Sequence, residues 1–306
     1  DWWDERWAEI TEAVDLIEEV VRLRGYDQVP TTVPRATPGS GLTPTQRLRR
    51  SAERTLAEAG FVQVLSYPFV GEGVHDALGE SAQDPRRSAE RLANPLAEDA
   101  PEMRTSVLAT LLPIATRNIS RGTASVAVYE AGSVTRAREG ATSVLPDGGS
   151  FPGAEVIAAI EASVPAQERH VAGVLASAGS QGVSATQAET VIAVVLRLAA
   201  ALGATVSVEA AEFAPYHPGR CAALVSADGT VVGHAGELAP KVATAFGLPA
   251  RSAAFEVDLD ALVALAITAD RQVGKLSTFP VAKEDVALVV DAALPAEAVR
   301  AVVIEA

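Results

Sequence analysis

Residues 253–265, AAFEVDLDALVAL, turn from a strand into a helix without a glycine between them. The elements to the N-terminal side explain what this turn belongs to. CAALVSAD (221–228) and TVVGHAG (230–236) are predicted strands, and Asp228-Gly229 marks a tight hairpin between them. A short helix follows over 239–246, closed by Gly247. ATVSVEAA (204–211), HVAGVLASA (170–178) and VAVYEAGSV (126–134) are further strands. EVIAAIEASV (155–164) fits a buried strand, although its periodicity also allows a helix. Helices are predicted over 185–202, ended by Gly203, and over 104–120, where Pro113 can kink the helix. Residues 79–102 read as a polar loop holding a short strand, and 135–153 as a Gly-rich hairpin loop. Helices arriving between runs of strands indicate an α+β fold rather than strict βαβ repetition.

Toward the N-terminus, FVQVLSYPFV (61–70) alternates and reads as a strand closed by Pro68. Thr43, Pro44 and Gln46 supply an N-cap, a first-turn proline and a capping-box partner for a helix running to about Ala59. DQVPTTVPRATPGSGL (27–42) holds three prolines and two glycines without apolar periodicity, as a linker would. Before it, residues 4–24 are predicted as an amphipathic helix with Ile10, Val14, Ile17 and Val21 on one face and Glu12, Asp15, Glu18 and Glu19 opposite, ending at Gly25. Toward the C-terminus, a break at 268–278 precedes a strand, DVALVVD (285–291), and a helix over 295–306.

The 306 residues suggest about two domains. A hydrophobic content of 48% with 21% charged residues suits a globular core. No apolar run is long enough for a membrane span, and DWWDERWAEI at the N-terminus lacks the basic and apolar regions of a signal peptide. The lone Cys221 excludes an internal disulfide, which fits a reducing, cytoplasmic setting. His75, His170, His217 and His234 show no metal-ligand spacing. A net charge of -14 argues against unaided nucleic-acid binding, a winged-helix binder included. GxGxxG, P-loop, HExxH and GxSxG motifs are absent from the sequence.

Several segments together resemble the β subunit of bacterial phenylalanyl-tRNA synthetase. They are DLIEEVVRLRGYDQVP (15–30), NPLAEDAPEMRTSVLATLLPIATRN (94–118), VAVYEAGSV (126–134), YHPGRCAAL (216–224), GELAP (236–240), FEVDLDAL (255–262) and FPVAKEDVALVVD (279–291). Their number and order across nearly the whole chain carry the resemblance. It implies the end of a winged-helix-like domain and linker over 1–40. It implies a class II aminoacyl-tRNA synthetase-like antiparallel sheet with helices over 41–268. The start of a ferredoxin-like anticodon-binding domain would occupy 272–306. The family's OB-like and editing domains have no counterpart, so the chain is read as a C-terminal fragment. Ala239 stands where the family has His, and Glu9 where it has Asp. The family's Pro-Ser-Val-x-Arg-Asp becomes Pro280-Val281-Ala282-Lys283-Glu284-Asp285.

The resemblance further implies a catalytic α subunit as partner in an α2β2 heterotetramer, tRNA(Phe) in the intact enzyme, and a magnesium site shared with α. Its ligands here would be Glu9, Asp15, Glu18 and Glu19. Three carboxylates within one helical turn repel one another unless a cation sits among them. The other reading is a solvated acidic face, balanced in part by Arg22 four residues after Glu18.

Catalytic class II subunits carry a Gly-rich strand-to-helix segment ending in arginine. Residues 253–260 hold three acids and no glycine or arginine, so the domain is read as catalytically silent, a scaffold for α, with no catalytic residue of its own. Arg104 and Arg220 fit ligand contacts or surface and interface salt bridges. His217 fits a turn, Glu130 a structural role and Cys221 a small buried position. Lys275, Phe279 and Lys283 are the only RNA-contact candidates near the C-terminus, and core packing explains Phe279 equally well. The alternative function is a stand-alone binding or regulatory module that senses an amino acid or regulates a partner.

Overall fold

The computed structural model describes all residues except 1–9, 38, 138–147, 150, 178–186, 269–277, 295 and 306. The chain divides into two compact units, Asp1–Arg50 and Ser51–Ala306.

In the first unit, helix α1 spans Ala13–Arg24. It begins later than its apolar periodicity suggests, because a capping box stops it there. Glu12 is the N-cap, and the Asp15 carboxylate accepts the backbone N–H groups of Thr11 (2.9 Å) and Glu12 (2.8 Å). Residues 4–9 of the expected helix lie outside the described residues. Gly25, at φ 100°, ends α1, and an extended stretch leads to α2 (Pro44–Glu58). The box expected there is present: Gln46 N donates to Thr43 Oγ1 at 3.2 Å, and Thr43 N to Gln46 Oε1 at 2.9 Å.

The second unit is built on a seven-stranded sheet. Its strands are β1 (Val62–Gln63), β4 (Ser125–Arg136), β5 (Ala166–Ser177), β6 (Val206–Ala211), β7 (Tyr216–Ser226), β8 (Val231–Leu238) and β9 (Ala253–Asp258). The order is β1-β4-β5-β9-β8-β7-β6, antiparallel throughout except for the parallel β1–β4 pair. Two short strands, β2 (Phe69–Val70) and β3 (Glu102–Met103), form a separate ribbon. The remaining helices are α3 (Val74–Ala77), α4 (Leu108–Ser120), α5 (Ala154–Ser163), α6 (Gln187–Leu202), α7 (Pro240–Phe246), α8 (Leu259–Thr268) and α9 (Ala296–Glu305).

Register assigns side chains to the two faces of the sheet, because they alternate with period two. Tyr129, Gly173, Phe255 and Ala235 lie in one row across β4, β5, β9 and β8. Gly173 has no side chain because the Phe255 ring lies where a Cβ would be. Phe61 meets that ring edge-on, with centroids 6.0 Å apart. On the other face, Val128, Val174 and Ala254 pack with Leu108, Leu111 and Leu112 of α4 in the main core cluster. Helices α6 and α8 pack together and against β5 and β9. The buried residues of α6, Val191, Val195, Leu198 and Leu202, recur at the three-to-four spacing of a single helix face.

Three sequence expectations are corrected. Residues 155–164 are not a buried strand: α5 covers Ala154–Ser163 and buries none of its residues. Its alanines and glutamates favour helix, and Gly153 as N-cap accepts from Ile157 N through its carbonyl, at 3.1 Å. Residues 61–70 are two strands that change partner. Val62–Gln63 runs beside β4, whereas Phe69–Val70 pairs with β3 after Pro68, whose carbonyl accepts Arg104 N at 2.8 Å. Residues 285–291 form no strand, and Val289 is fully exposed, because no ladder partner lies beside them among the described residues. The Asp228-Gly229 hairpin forms as expected, with Ser226 N donating to Thr230 O at 2.9 Å and Gly229 at φ 87°.

Candidate functional site

The polar centre of the second unit is built by the same alternation that makes the core. Glu168 and His170 on β5, Glu256 and Asp258 on β9, and Arg136 on β4 project from the α4 face of the sheet. Glu256 is the hub. One carboxylate oxygen accepts His170 Nδ1 at 2.8 Å and Val107 N at 3.0 Å; the other accepts Ser106 Oγ at 2.5 Å and Leu108 N at 3.3 Å. Val107 and Leu108 form the N-terminus of α4, so a side chain from β9 fills the position where a helix binds anions. Burial works against the charge on Glu256, but His170 together with the Ser106 and Val107 donors outweighs it and holds the carboxyl well below the usual carboxylate range. Burial also opposes the charge on His170, and Glu256 overrides it, raising the imidazole above its ordinary value.

Beside this hub, Arg86 lies over the Phe213 ring, 4.1 Å from its centroid, and His234 stacks against Phe213 at 3.9 Å. Arg86 is anchored by Asp84 at 2.7 Å, by Glu80 at 3.3 Å and by the carbonyl of Ala214 at 2.8 Å. Burial, reinforced by the Arg86 charge, lowers the His234 imidazole to about 4, so it is neutral at physiological pH. Together these groups border a cavity of about 210 Å3.

A second polar cluster is closed to solvent. Arg104 donates to Glu130 at 2.8 Å, to Thr110 Oγ1 at 2.7 Å and to Ser66 Oγ at 2.9 Å, and both charged side chains are almost completely buried. Gly132 is required beside it, since a Cβ would collide with the Arg104 guanidinium. Arg104 is therefore an internal structural arginine, not a surface or interface ion pair. Glu130 has the structural role expected of it. His217 holds a turn by accepting Gly219 N at Nδ1, at 3.0 Å. Arg220 pairs with Glu237 at 2.6 Å. Cys221 is buried, and burial pushes its thiol up to about 11, where it is unreactive. Phe279 is exposed, which overturns the core reading; Lys283 is exposed as well, and Lys275 lies outside the described residues.

Of the residues proposed to hold magnesium, Asp15, Glu18 and Glu19 lie on α1, and Glu9 is outside the described residues. Asp15 caps its own helix, and its backbone hydrogen bonds from Glu12 and Thr11 lower its pKa. Arg22 pairs with Glu19 at 2.7 Å rather than with Glu18, so the expected balancing pair sits one position along. The donors are all carboxylate oxygens at the protein surface, a set that suits a hard cation. Among the described residues, no group of three or more His, Cys, Asp or Glu side chains is already gathered to hold a metal.

The order of strands, the α4 N-terminus and the segment around β9 all fall within one family match: the phenylalanyl-tRNA synthetase beta chain CLM domain, over residues 29–259. The chain belongs to this family. Phenylalanine–tRNA ligase β subunits of Thermobifida fusca and Cutibacterium acnes are 45% and 43% identical to it, over 96% and 97% of this chain. That of Streptomyces avermitilis is 44% identical over 94%. The chain spans 36%, 36% and 35% of these relatives, about a third of each. In this CLM domain, Ala239 is a buried N-cap for α7 and carries no functional group.

The hub was only partly visible in the sequence. The acids of 253–260 stand out, but Arg86, Arg136, Glu168, His170, Phe213 and His234 do not. The available signal was period two: Glu168-x-His170 and Glu256-x-Asp258 place pairs of charges on the same face of strands whose other residues are mostly apolar.

Proposed function

We propose that this chain is the part of a phenylalanine–tRNA ligase β subunit that holds the catalytic α subunit without itself performing chemistry. The intact enzyme would join L-phenylalanine to tRNA(Phe) with ATP, releasing AMP and diphosphate. The fold would be a class II synthetase-like sheet over 41–268, flanked by the end of a winged-helix-like domain (1–40) and the start of a ferredoxin-like anticodon-binding domain (272–306). The setting would be cytoplasmic; no helix among the described residues is long and apolar enough to cross a membrane.

One observation carries the catalytically silent reading. Adenylate formation needs positive groups where phosphate charge develops. Here the helix N-terminus facing the sheet is already filled by the Glu256 carboxylate. A triphosphate arriving there would meet a fixed negative charge and donors already occupied.

Magnesium would be held at the acidic face of α1 by Asp15, Glu18 and Glu19, with Glu9, in a site completed by α. When bound, the ion would neutralise the crowded carboxylates and draw Glu19 away from Arg22. In the assembled α2β2 enzyme, Asp15→Asn should weaken magnesium binding measured by titration calorimetry. Unchanged affinity would make the face a plain solvated one.

The functional test is co-expression with a phenylalanyl α subunit. The two chains should co-purify, and the isolated chain should show no phenylalanine-dependent ATP–pyrophosphate exchange. Exchange by the isolated chain would end the silent reading, and failure to co-purify would end the scaffold reading.

A further inference from the structure

The cavity beside the hub is not explained by a purely scaffolding role. It measures about 210 Å3, somewhat more than the roughly 150 Å3 that accommodates benzene in a protein interior. One wall is apolar, formed by Leu108, Val231, Val232 and the edge of Phe213. The opposite side carries charges of both signs. Arg136 and Glu168 meet at 2.9 Å, both about two-fifths exposed, with His170 Nε2 3.8 Å from Glu168. Glu256 and Asp258 complete the acidic set, and Arg86 and His170 the basic one. Carboxylates and cationic groups are thus matched three to three around the cavity once His170 is protonated.

A matched lining of this kind disfavours a polyanion, which needs an excess of positive charge. A purely apolar ligand would leave the polar side unsatisfied. The fitting ligand carries one positive and one negative group close together and an apolar substituent of up to about ring size. We infer that this cavity binds a free α-amino acid with an apolar side chain. The ammonium would sit on Glu168 and the carboxylate on Arg136, which points its Nε at Glu168 and, among the described residues, has no other hydrogen bond from its guanidinium. The side chain would lie against Val231, Val232 and Phe213. Binding needs neither ATP nor a partner, so it stands apart from the scaffold reading.

The test is calorimetric titration of the 306-residue chain with L-phenylalanine and L-leucine, and with the two halves of the first, 3-phenylpropionate and 2-phenylethylamine. At least one amino acid should bind saturably, and each half at least about tenfold more weakly. Glu168→Gln and Arg136→Gln alter a surface pair that contributes little to folding, and each should weaken binding by about tenfold or more. Val231→Trp, at a half-exposed position, should fill the cavity and abolish binding while the melting curve is retained. The inference is overturned if neither amino acid binds, if the halves bind as well as the whole, or if folded Val231→Trp and Glu168→Gln bind like the native chain. None of these outcomes bears on co-purification with α.

Discussion

Arg104→Met is expected to destabilise the second unit by about 3–5 kcal/mol, because it leaves Glu130 buried and unpaired. The guanidinium takes part in four contacts: Glu130, Thr110, Ser66 and, through Nε, the carbonyl of Ser133 at 3.1 Å. Ser66 also donates to Glu130 at 2.6 Å, so after the substitution one hydroxyl alone would have to stabilise a buried carboxylate. At roughly 2–4 °C per kcal/mol for a unit of this size, the melting temperature should fall by about 10 °C. The double variant Arg104→Met, Glu130→Leu should recover most of the loss, since an apolar pair has no charge to desolvate. Urea denaturation of the three proteins checks both parts. A single-variant loss below about 1 kcal/mol would show that Glu130 finds water or another donor.

The second large effect concerns Glu256. Glu256→Ala removes the acceptor for two backbone N–H groups, a serine hydroxyl and His170 at once, at a cost of about 3 kcal/mol or more. Its pH signature is more specific than its size. The lowered carboxyl of Glu256 makes the pair stabilising above the ordinary 4.5, and that contribution is lost as pH falls through the depressed folded value. The raised His170 makes it fully stabilising below 6.5, and that contribution is lost as pH rises through the elevated folded value. These are two edges of one interaction, counted once. In the native chain, this pair therefore contributes a decline in stability above pH 6.5. Without Glu256, burial alone acts on His170 and drives its folded value below 6.5, so its contribution rises with pH across the same interval. Denaturation midpoints of native and variant protein between pH 6 and 8 should thus diverge in slope by about one proton's worth of linkage. Parallel slopes would mean that Glu256 does not govern His170.

How far these features could be read in advance depended on how far apart their parts lie in the chain. Gly25, the Thr43–Gln46 capping box and the Asp228-Gly229 hairpin were legible because every partner lies within four residues. The strand-to-helix turn at 253–265 was legible for the same reason: apolar patterning carries it through β9 into α8, and Asp258 Oδ1 accepts Ala261 N at 2.9 Å. The catalytically silent reading also began in the sequence, from the acids of 253–260. It acquired a physical cause only when Glu256 was found on the α4 N-terminus, 149 positions from Val107.

Family membership, the α+β class and most strands and helices were determined by the sequence alone, since local hydrogen bonding and apolar periodicity are short-range properties. Tertiary structure decided whether a permissive segment became a strand. Residues 155–164 and 285–291 both have strand-like composition, but a strand exists only where a neighbour completes its backbone hydrogen bonds. It also decided which charges meet. Arg104 with Glu130, and Glu256 with His170, are brought together by sheet register and the seating of α4, and burial then turns ordinary side chains into strongly coupled pairs.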